Sequence, residues 1–82
     1  MEVKIVTPKV TAYLKKHGLW SKWGKVVMLF EKNIRHPSLH VELLEPKEEM
    51  IYSFRVDGRY RALFVIKSNR ALVFRVTNHY KK

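Results

Sequence analysis

Three segments of alternating apolar and polar residues constrain the fold of this chain most strongly, and they lie at 50–56, 60–67 and 70–77. Successive side chains of a strand point to opposite faces of a sheet, so this alternation is typical of strands with one buried face. Asp57-Gly58 and Ser68-Asn69 separate the segments, and both pairs favour tight turns. We therefore predict three antiparallel strands joined in sequence.

The start of the chain predicts a short strand followed by a helix. Residues 2–6 alternate between apolar and polar side chains, as in a strand. Thr7 is suited to the N-cap of a helix and Pro8 to its first position, where the missing amide hydrogen is not needed. We expect this helix to run to about Lys16, because Gly18 readily adopts the left-handed conformation that ends helices.

A second, amphipathic helix is predicted from about Ser21 to the residues before Pro37, which cannot continue a helix. Its apolar stripe, spaced by 3 and 4 residues, consists of Trp20, Trp23, Val27, Phe30 and Ile34. The two tryptophans could form a platform for stacking bases, but this spacing favours a place in the core. The large side chains that we expect to be buried are Trp20, Trp23, Val27, Phe30, Phe54, Phe64, Leu72 and Phe74.

One further strand is predicted where Leu39, Val41 and Leu43 alternate with polar residues, followed by a charged turn at 45–49. The element order is then β-α-α-β-β-β-β, which implies an α+β fold and a single domain over residues 1–82. We expect the two N-terminal helices to cover one face of a twisted antiparallel sheet and to leave the other face open.

The charge of the chain favours a polyanionic partner. Lys and Arg number 17 against 7 Asp and Glu, which gives a formal net charge of +10. RNA, DNA, an acidic protein or an anionic membrane fits such a charge, although excess charge can also serve solubility alone. The absence of Cys excludes disulfides and thiolate metal sites. There is no apolar signal segment and no run long enough to span a membrane, so we expect a cytoplasmic protein.

Strand alternation assigns three arginines to the open face of the sheet. A three-residue connection, 57–59, pairs Arg55 with Arg61 and leaves the helix side apolar. A two-residue turn would instead put Arg61 beside Phe54. Arg75 shares this face by alternation, together with the apolar residues Ile51, Leu63, Val65 and Val73. Like charges on neighbouring strands repel each other and lower stability, so their presence together favours a role in binding an anion. The alternative is a strand surface that is simply solvated.

Histidines supply the proton-transfer groups of the sequence. His79 has the parity of Arg75, and a His can accept or donate a proton near neutral pH. Cations beside such a group suggest a protein that acts on a phosphodiester. His36 and His40 are four residues apart, but Pro37 separates them and no clustered carboxylate completes a site, so we predict no metal there.

Three segments of the chain resemble the RelE/ParE superfamily, the toxins of bacterial and archaeal type II toxin–antitoxin modules. They are FEKNIRHPSL at 30–39, YSFRVDGRYRALF at 52–64 and FRVTNHY at 74–80. The resemblance covers nearly the whole chain and implies the α+β fold predicted above. The His-Tyr ending is similar to that of the YoeB-type members, which cleave mRNA in the ribosomal A site without a metal or another cofactor.

The resemblance also implies roles for individual residues. Catalytic roles would fall on Arg55, Arg61, His79 and Tyr80. RNA-binding roles would fall on Arg59, Arg75, Lys81 and Lys82. The YoeB-type branch uses a Glu before its second strand; here Ser38 stands in about that place and Glu42 is nearby, so the general base is left open.

The partners that the resemblance implies are the ribosome, its mRNA and a cognate antitoxin, with no membrane and no small-molecule cofactor. We expect the antitoxin to be an acidic, partly disordered segment that covers the arginines or displaces residues 79–80. Two alternatives stay open. One is a ParE-like toxin that inhibits DNA gyrase without nuclease activity, and the other is an RNA-binding module that does not cleave.

Overall fold

The computed structural model describes residues 1–78, which form two α-helices and a five-stranded sheet. In chain order the elements are β1 (Glu2–Ile5), α1 (Pro8–Lys16), α2 (Trp20–Lys32), β2 (Glu42–Leu43), β3 (Tyr52–Arg55), β4 (Arg61–Lys67) and β5 (Arg70–Thr77). Short 3₁₀ turns at Pro37–Leu39 and Lys47–Glu49 flank β2. The predicted α+β class and element order are confirmed. Among the helices of residues 1–78, none combines the length and apolar character needed to cross a membrane.

The strands lie in the order β1-β5-β4-β3-β2 across the sheet. The pairs from β2 to β5 are antiparallel, as predicted, but β1 runs parallel to β5 at one edge. The sheet is therefore mixed, which corrects the expectation of a wholly antiparallel one. Alternation along residues 2–6 identifies a strand but carries no information about the direction of its partner.

Helix α1 begins and ends where its sequence signals predict. The Thr7 hydroxyl accepts a hydrogen bond from the Lys9 N–H at 3.3 Å, with Pro8 at the first helical position. At the other end Gly18 adopts a φ of +68°, and the Leu19 N–H donates to the Leu14 carbonyl at 2.8 Å. This is the hydrogen-bond pattern of a helix closed by a left-handed residue, and both leucines that it joins are buried.

The stretch after α2 departs from the sequence prediction. The helix ends at Lys32 rather than near Pro37, because Asn33 adopts an extended conformation. The strand predicted around Leu39 to Leu43 is reduced to the two residues of β2, since Leu39 belongs to a 3₁₀ turn and His40 has a left-handed φ of 44°. Alternation of apolar residues did not distinguish this turn from a strand.

Aromatic rings from the sheet and α2 form the centre of the core. The ring centroids of Phe30, Phe54 and Phe64 lie 5.0 to 5.7 Å apart, and Trp23 stacks on Phe54 at 5.7 Å. All four side chains are buried, as predicted, and Val27 is partly buried beside them.

Three of the residues predicted to be buried are exposed or only partly buried. Trp20 is 46% exposed, because it lies at the start of α2, at the edge of the stripe that faces the sheet. Leu72 and Phe74 are only partly buried, and Ala71 and Val73 take the core positions instead.

A bulge in β5 explains the exchange of faces. Phe64 pairs with Val73, but the next residue back, Leu63, pairs with Arg75, so Phe74 is an extra residue in β5. Before the bulge the odd-numbered residues of β5 face the helices, and after it Val76 does. The expectation that Val73 lies on the open face is therefore wrong, while Arg75 does lie there.

Candidate active site

The β3–β4 hairpin places Arg55 and Arg61 side by side on the sheet face opposite the helices. The Val56 N–H donates to the Tyr60 carbonyl at 2.9 Å, which leaves three connecting residues, and Arg55 pairs directly with Arg61. The three-residue connection predicted from the sequence is confirmed. Arg75 lies on the same face opposite Leu63, so we refer to Arg55, Arg61 and Arg75 as the arginine face.

Asp57 holds the hairpin connection in place. Its Oδ1 accepts hydrogen bonds from the N–H groups of Arg59 at 2.9 Å and Tyr60 at 3.1 Å, and its Oδ2 accepts from Lys22 Nζ at 3.1 Å. Burial opposes the negative charge of this carboxylate, but these hydrogen bonds and the nearby ammonium outweigh it, so the pKa of Asp57 lies below its ordinary value. The connection is thereby also tied to α2.

Arg61 is the most strongly held cation of the arginine face. Its Nε and one terminal nitrogen donate to the Ser53 hydroxyl at 3.0 and 2.8 Å, and the terminal nitrogen also donates to the His40 carbonyl. The same nitrogen lies 3.8 Å from a carboxylate oxygen of Glu42. The Arg61 side chain is 13% exposed, so its guanidinium is presented in one orientation.

In the described part of the chain Arg55 and Arg75, unlike Arg61, are not held by neighbouring side chains or carbonyl groups. Within residues 1–78 neither side chain makes a hydrogen bond or an ion pair; Arg55 is half-buried and Arg75 is exposed. The side chain of Arg59 is exposed on the hairpin connection, at the edge of the same region. An anionic ligand could therefore engage Arg55 and Arg75 without breaking existing ion pairs.

The sequence did not show which face of the sheet carries Glu42, although this residue belongs to the site. It pairs with Ser53 across β2 and β3, so its side chain lies on the arginine face beside Arg61. One third of the Glu42 side chain is exposed, at 33%. Only the pairing of the two-residue strand β2 reveals this position, and nothing in the local sequence predicts that register.

Ser38, the other residue considered for the position of the general base, serves a local purpose. Its hydroxyl lies 2.7 Å from His36 Nδ1 and its N–H donates to the same nitrogen at 3.2 Å. These bonds close the start of the 3₁₀ turn and do not involve Arg61. Among residues 1–78 no group of three or more His, Asp or Glu side chains clusters as metal ligands.

The predicted site residues His79, Tyr80, Lys81 and Lys82 lie outside the described residues. The strand that precedes them ends with Thr77 opposite Arg61. Beside this strand end lies a groove of about 590 Å³ between α1 and β5. It is lined by Lys9, Val10, Tyr13, His17 and residues 74–78.

No protein-family model matches the chain. A protein of Haemophilus influenzae without an assigned function is 52% identical over 33 residues, a match that spans 40% of this chain. The chain covers only 33% of the length of that relative.

Solved structures align with almost the whole chain. A chain of the heterotetrameric YoeB–YefM toxin–antitoxin complex from Staphylococcus aureus aligns with a TM-score of 0.68 at 15% identity, over 98% of both chains. The YoeB/ParE toxin from Agrobacterium tumefaciens aligns with a TM-score of 0.70 at 13% identity, over 98% of this chain and 100% of the other. The chain therefore shares the fold of these two structures. The resemblance noted in the sequence is thus confirmed at the level of the fold.

On this fold the arginine face combines the guanidinium of Arg61, held by its neighbours, with two further cationic groups and a carboxylate. Guanidinium groups bind phosphate oxygens through paired hydrogen bonds and stabilise charge that develops on them. A carboxylate at the edge of such a site can accept a proton from a hydroxyl group. The arrangement is therefore suited to binding a phosphodiester and to proton transfer beside it.

Proposed function

We propose that this protein is the toxin of a type II toxin–antitoxin module and cleaves mRNA on the ribosome. The observation that carries the proposal is the fixed Arg61 guanidinium beside Glu42, on a face shared with Arg55 and Arg75. The RelE/ParE fold supports it, because the two similar structures are described as a YoeB–YefM toxin–antitoxin complex and a YoeB/ParE toxin.

The proposed reaction needs no metal, because RNA supplies its own nucleophile. Glu42 takes the proton from the ribose 2′-hydroxyl, and the oxygen attacks the adjacent phosphorus. Arg55 and Arg61 hold the non-bridging oxygens and stabilise the charge of the pentacoordinate transition state. His79 donates a proton to the departing 5′-oxygen. The bond to that oxygen breaks, which leaves a 2′,3′-cyclic phosphate and a 5′-hydroxyl.

The position of Glu42 favours it over Ser38 as the proton acceptor. Its carboxylate lies 3.8 Å from the Arg61 guanidinium, whereas the Ser38 hydroxyl is engaged by His36. A phosphate that binds Arg61 competes with this long ion pair and leaves the Glu42 carboxylate beside the bound nucleotide. Tyr80 would stack on a base, and Arg59, Arg75, Lys81 and Lys82 would bind backbone phosphates.

The ribosome and an antitoxin complete the proposal. A small, open face holds a flexible RNA poorly in line for attack, so the ribosomal A site is expected to position the substrate. A cell that makes such a nuclease in its cytoplasm requires an inhibitor, and the high positive charge suits an acidic antitoxin. The exposed cations of the arginine face would pair with its carboxylates.

Controlled expression in bacteria tests this function. Wild-type protein is expected to stop growth and to leave cuts in mRNA at ribosomal A-site codons. Glu42→Gln keeps the shape of the side chain but removes the proton acceptor, so cleavage by purified protein on programmed ribosomes is expected to fall about 10²-fold. Glu45→Gln, which changes an exposed Glu in the neighbouring turn, is the matched control and should cleave like wild type.

Other outcomes would identify a different function. Arrest of growth with altered DNA supercoiling and intact mRNA would indicate a gyrase-inhibiting toxin. Ribosome binding without cleavage or arrest would indicate an RNA-binding module. Full cleavage by Glu42→Gln would show that another group accepts the proton.

A further inference from the structure

Ser53 is fully buried although its strand position assigns it to the open face of the sheet. It pairs with Glu42 on one side and with Leu63 on the other, so its side chain lies on the arginine face. Its exposed fraction is nevertheless 0%. Arg61 reaches it from β4, with Nε at 3.0 Å and one terminal nitrogen at 2.8 Å from the Ser53 hydroxyl oxygen. The buried hydroxyl therefore serves as an acceptor for a cation.

The two nitrogens that donate to Ser53 form the side of the guanidinium that commonly binds a carboxylate. In such a pair the two N–H groups make parallel hydrogen bonds to two carboxylate oxygens. Here both donate to one hydroxyl oxygen, and the terminal nitrogen also donates to the His40 carbonyl. Both acceptors are uncharged. They orient the Arg61 guanidinium without neutralising its positive charge.

The carboxylate of Glu42 is close enough to compete for the same donors. Glu42 stands directly opposite Ser53, and its Oε2 lies 3.8 Å from the terminal nitrogen of Arg61 that Ser53 binds. A charge-assisted hydrogen bond between these two groups would be about 2.7–2.9 Å long, so a movement of about 1 Å would form it. The positive charge of Arg61 would then be largely cancelled.

We propose that Ser53 is the positioning residue of the arginine face, whose neutral hydroxyl keeps the Arg61 guanidinium from closing onto Glu42. The inference rests on the proposed function, in which Arg61 stabilises charge on the phosphate and Glu42 accepts a proton. Both tasks require the two groups to be close without binding each other, because a closed ion pair would occupy the cation and the carboxylate together. Ser53 itself does not touch the RNA, since it is buried beneath Arg61.

The Nε–H group of Arg61 reports its orientation directly in NMR spectra of isotope-labelled protein. In wild type this proton should exchange slowly with water, because it is bonded to a buried hydroxyl at 3.0 Å. Ser53→Ala should lose this protection, whereas Ser53→Thr should keep it because Thr supplies the same hydroxyl group. Ser53→Cys keeps the size of the side chain with only a weak acceptor, and replaces Ser53→Ala if that variant does not fold. Ser21→Ala, at an exposed position of α2, is the matched control and should leave the signal unchanged.

Binding of pyrophosphate at low salt tests whether this orientation serves an anion, independently of cleavage. Pyrophosphate should shift the Arg61 Nε–H signal of wild type saturably. Ser53→Ala should bind it about tenfold more weakly, because Arg61 then pairs with Glu42. Glu42→Gln removes the competing charge, so the affinity gained by this change should be larger in the Ser53→Ala background than in wild type.

Cleavage on programmed ribosomes separates a positioning role from a merely structural one. Ser53→Ala should lower kcat and kcat/KM equally, by about 10²-fold, because the orientation of Arg61 matters most in the transition state. Ser53→Thr should restore most of the rate. If Ser53 contributed only to stability, kcat per folded molecule would be unchanged.

Four results would overturn the proposal. Slow exchange of the Arg61 Nε–H in Ser53→Ala would show that the guanidinium is held without the hydroxyl. Equal affinity of Ser53→Ala and wild type for pyrophosphate would show that charge alone is sufficient. Equal gains from Glu42→Gln in both backgrounds would show that Glu42 does not capture Arg61. Full kcat in Ser53→Ala would exclude a positioning role in the reaction.

Failure of the proposed function would give a different pattern. Wild type would then leave mRNA intact on the ribosome. Pyrophosphate would still bind at Arg61, and its affinity would still fall in Ser53→Ala. In that case Ser53 would position Arg61 for an anion other than a cleaved phosphodiester.

Discussion

A tight connection joins the two strands of β3–β4, and another joins those of β4–β5. The two pairs differ in how far along the strands the connection determines the pairing register. In β3–β4 the pairing runs without interruption from Arg55 opposite Arg61 to Tyr52 opposite Phe64. In β4–β5 the pairing begins regularly at the Ser68-Asn69 turn and shifts by one residue at Phe74. A turn therefore determines the register only as far as the first bulge.

This difference shapes the candidate site. A regular ladder continued from the Ser68-Asn69 turn would place Arg75 opposite Ala62, a buried residue on the helix side. The bulge at Phe74 instead brings Arg75 opposite Leu63 and onto the arginine face. The hairpin β3–β4 supplies a fixed cation, whereas the end of β5 supplies an exposed one through an irregularity.

The largest expected effect is a loss of stability when a phenylalanine is removed from one or the other strand pair. Phe54 is fully buried in the regular pair, and Phe54→Ala should lower the free energy of unfolding by roughly 3–5 kcal/mol. Phe74 is only partly buried at the bulge, so Phe74→Ala should cost about 1 kcal/mol. Urea denaturation followed by circular dichroism measures both. Equal losses would mean that the bulge is as tightly packed as the regular pair.

The next effect concerns the arginines of the two strand pairs. Arg61→Lys keeps the charge but loses the fixed fork of donors, so ribosome-dependent cleavage should fall about 10²-fold. Arg75→Ala should lower it by about tenfold or less, because an exposed cation contributes mainly to binding. Arg70→Ala, in the same strand but paired with Glu2 at 3.3 Å, is the control and should cleave normally. A loss for Arg75→Ala as large as that for Arg61→Lys would give both cations the same role.

These comparisons also show how much the sequence alone could reveal. Turn residues and alternation predicted the β3–β4 pairing, and capping residues predicted both ends of α1, since these signals act between neighbours in the chain. The position of Glu42 and the bulge at Phe74 were not predictable, because each depends on how distant strands meet. Trp20 was misplaced because its spacing fits the buried stripe, although it lies at the edge of that stripe, where α2 begins.

A smaller effect tests why the β3–β4 connection has a single register. Asp57→Ala leaves the N–H groups of Arg59 and Tyr60 without their acceptor and should cost about 1–2 kcal/mol at neutral pH. The folded-state pKa of Asp57 is lowered, so its stabilising effect is complete above the unfolded value of about 3.9 and is lost as pH falls through the folded value.

The pH dependence of unfolding below neutrality provides the measurement for Asp57. Asp57→Asn keeps one acceptor oxygen but cannot titrate, so its stability should fall less steeply than that of wild type as the solution is acidified. Glu48→Gln, in an exposed turn, serves as the control and should leave the acid limb unchanged. Parallel acid limbs for wild type and Asp57→Asn would mean that this carboxylate does not stabilise the connection through its charge.

The smallest expected effect tests the turn between β4 and β5. Ser68 and Asn69 have φ values of 52° and 60°, and the pair Asn-Gly adopts such a turn with less strain. The double change Ser68→Asn and Asn69→Gly should raise the free energy of unfolding by about 0.5 kcal/mol in urea denaturation. Cleavage should stay unchanged, because the bulge at Phe74 lies between this turn and Arg75. The pairing of Arg75 with Leu63 is then expected not to depend on the turn. A tighter turn that raised stability but lowered cleavage would show the opposite: that the register set at residues 68–69 is transmitted through the bulge to the arginine face.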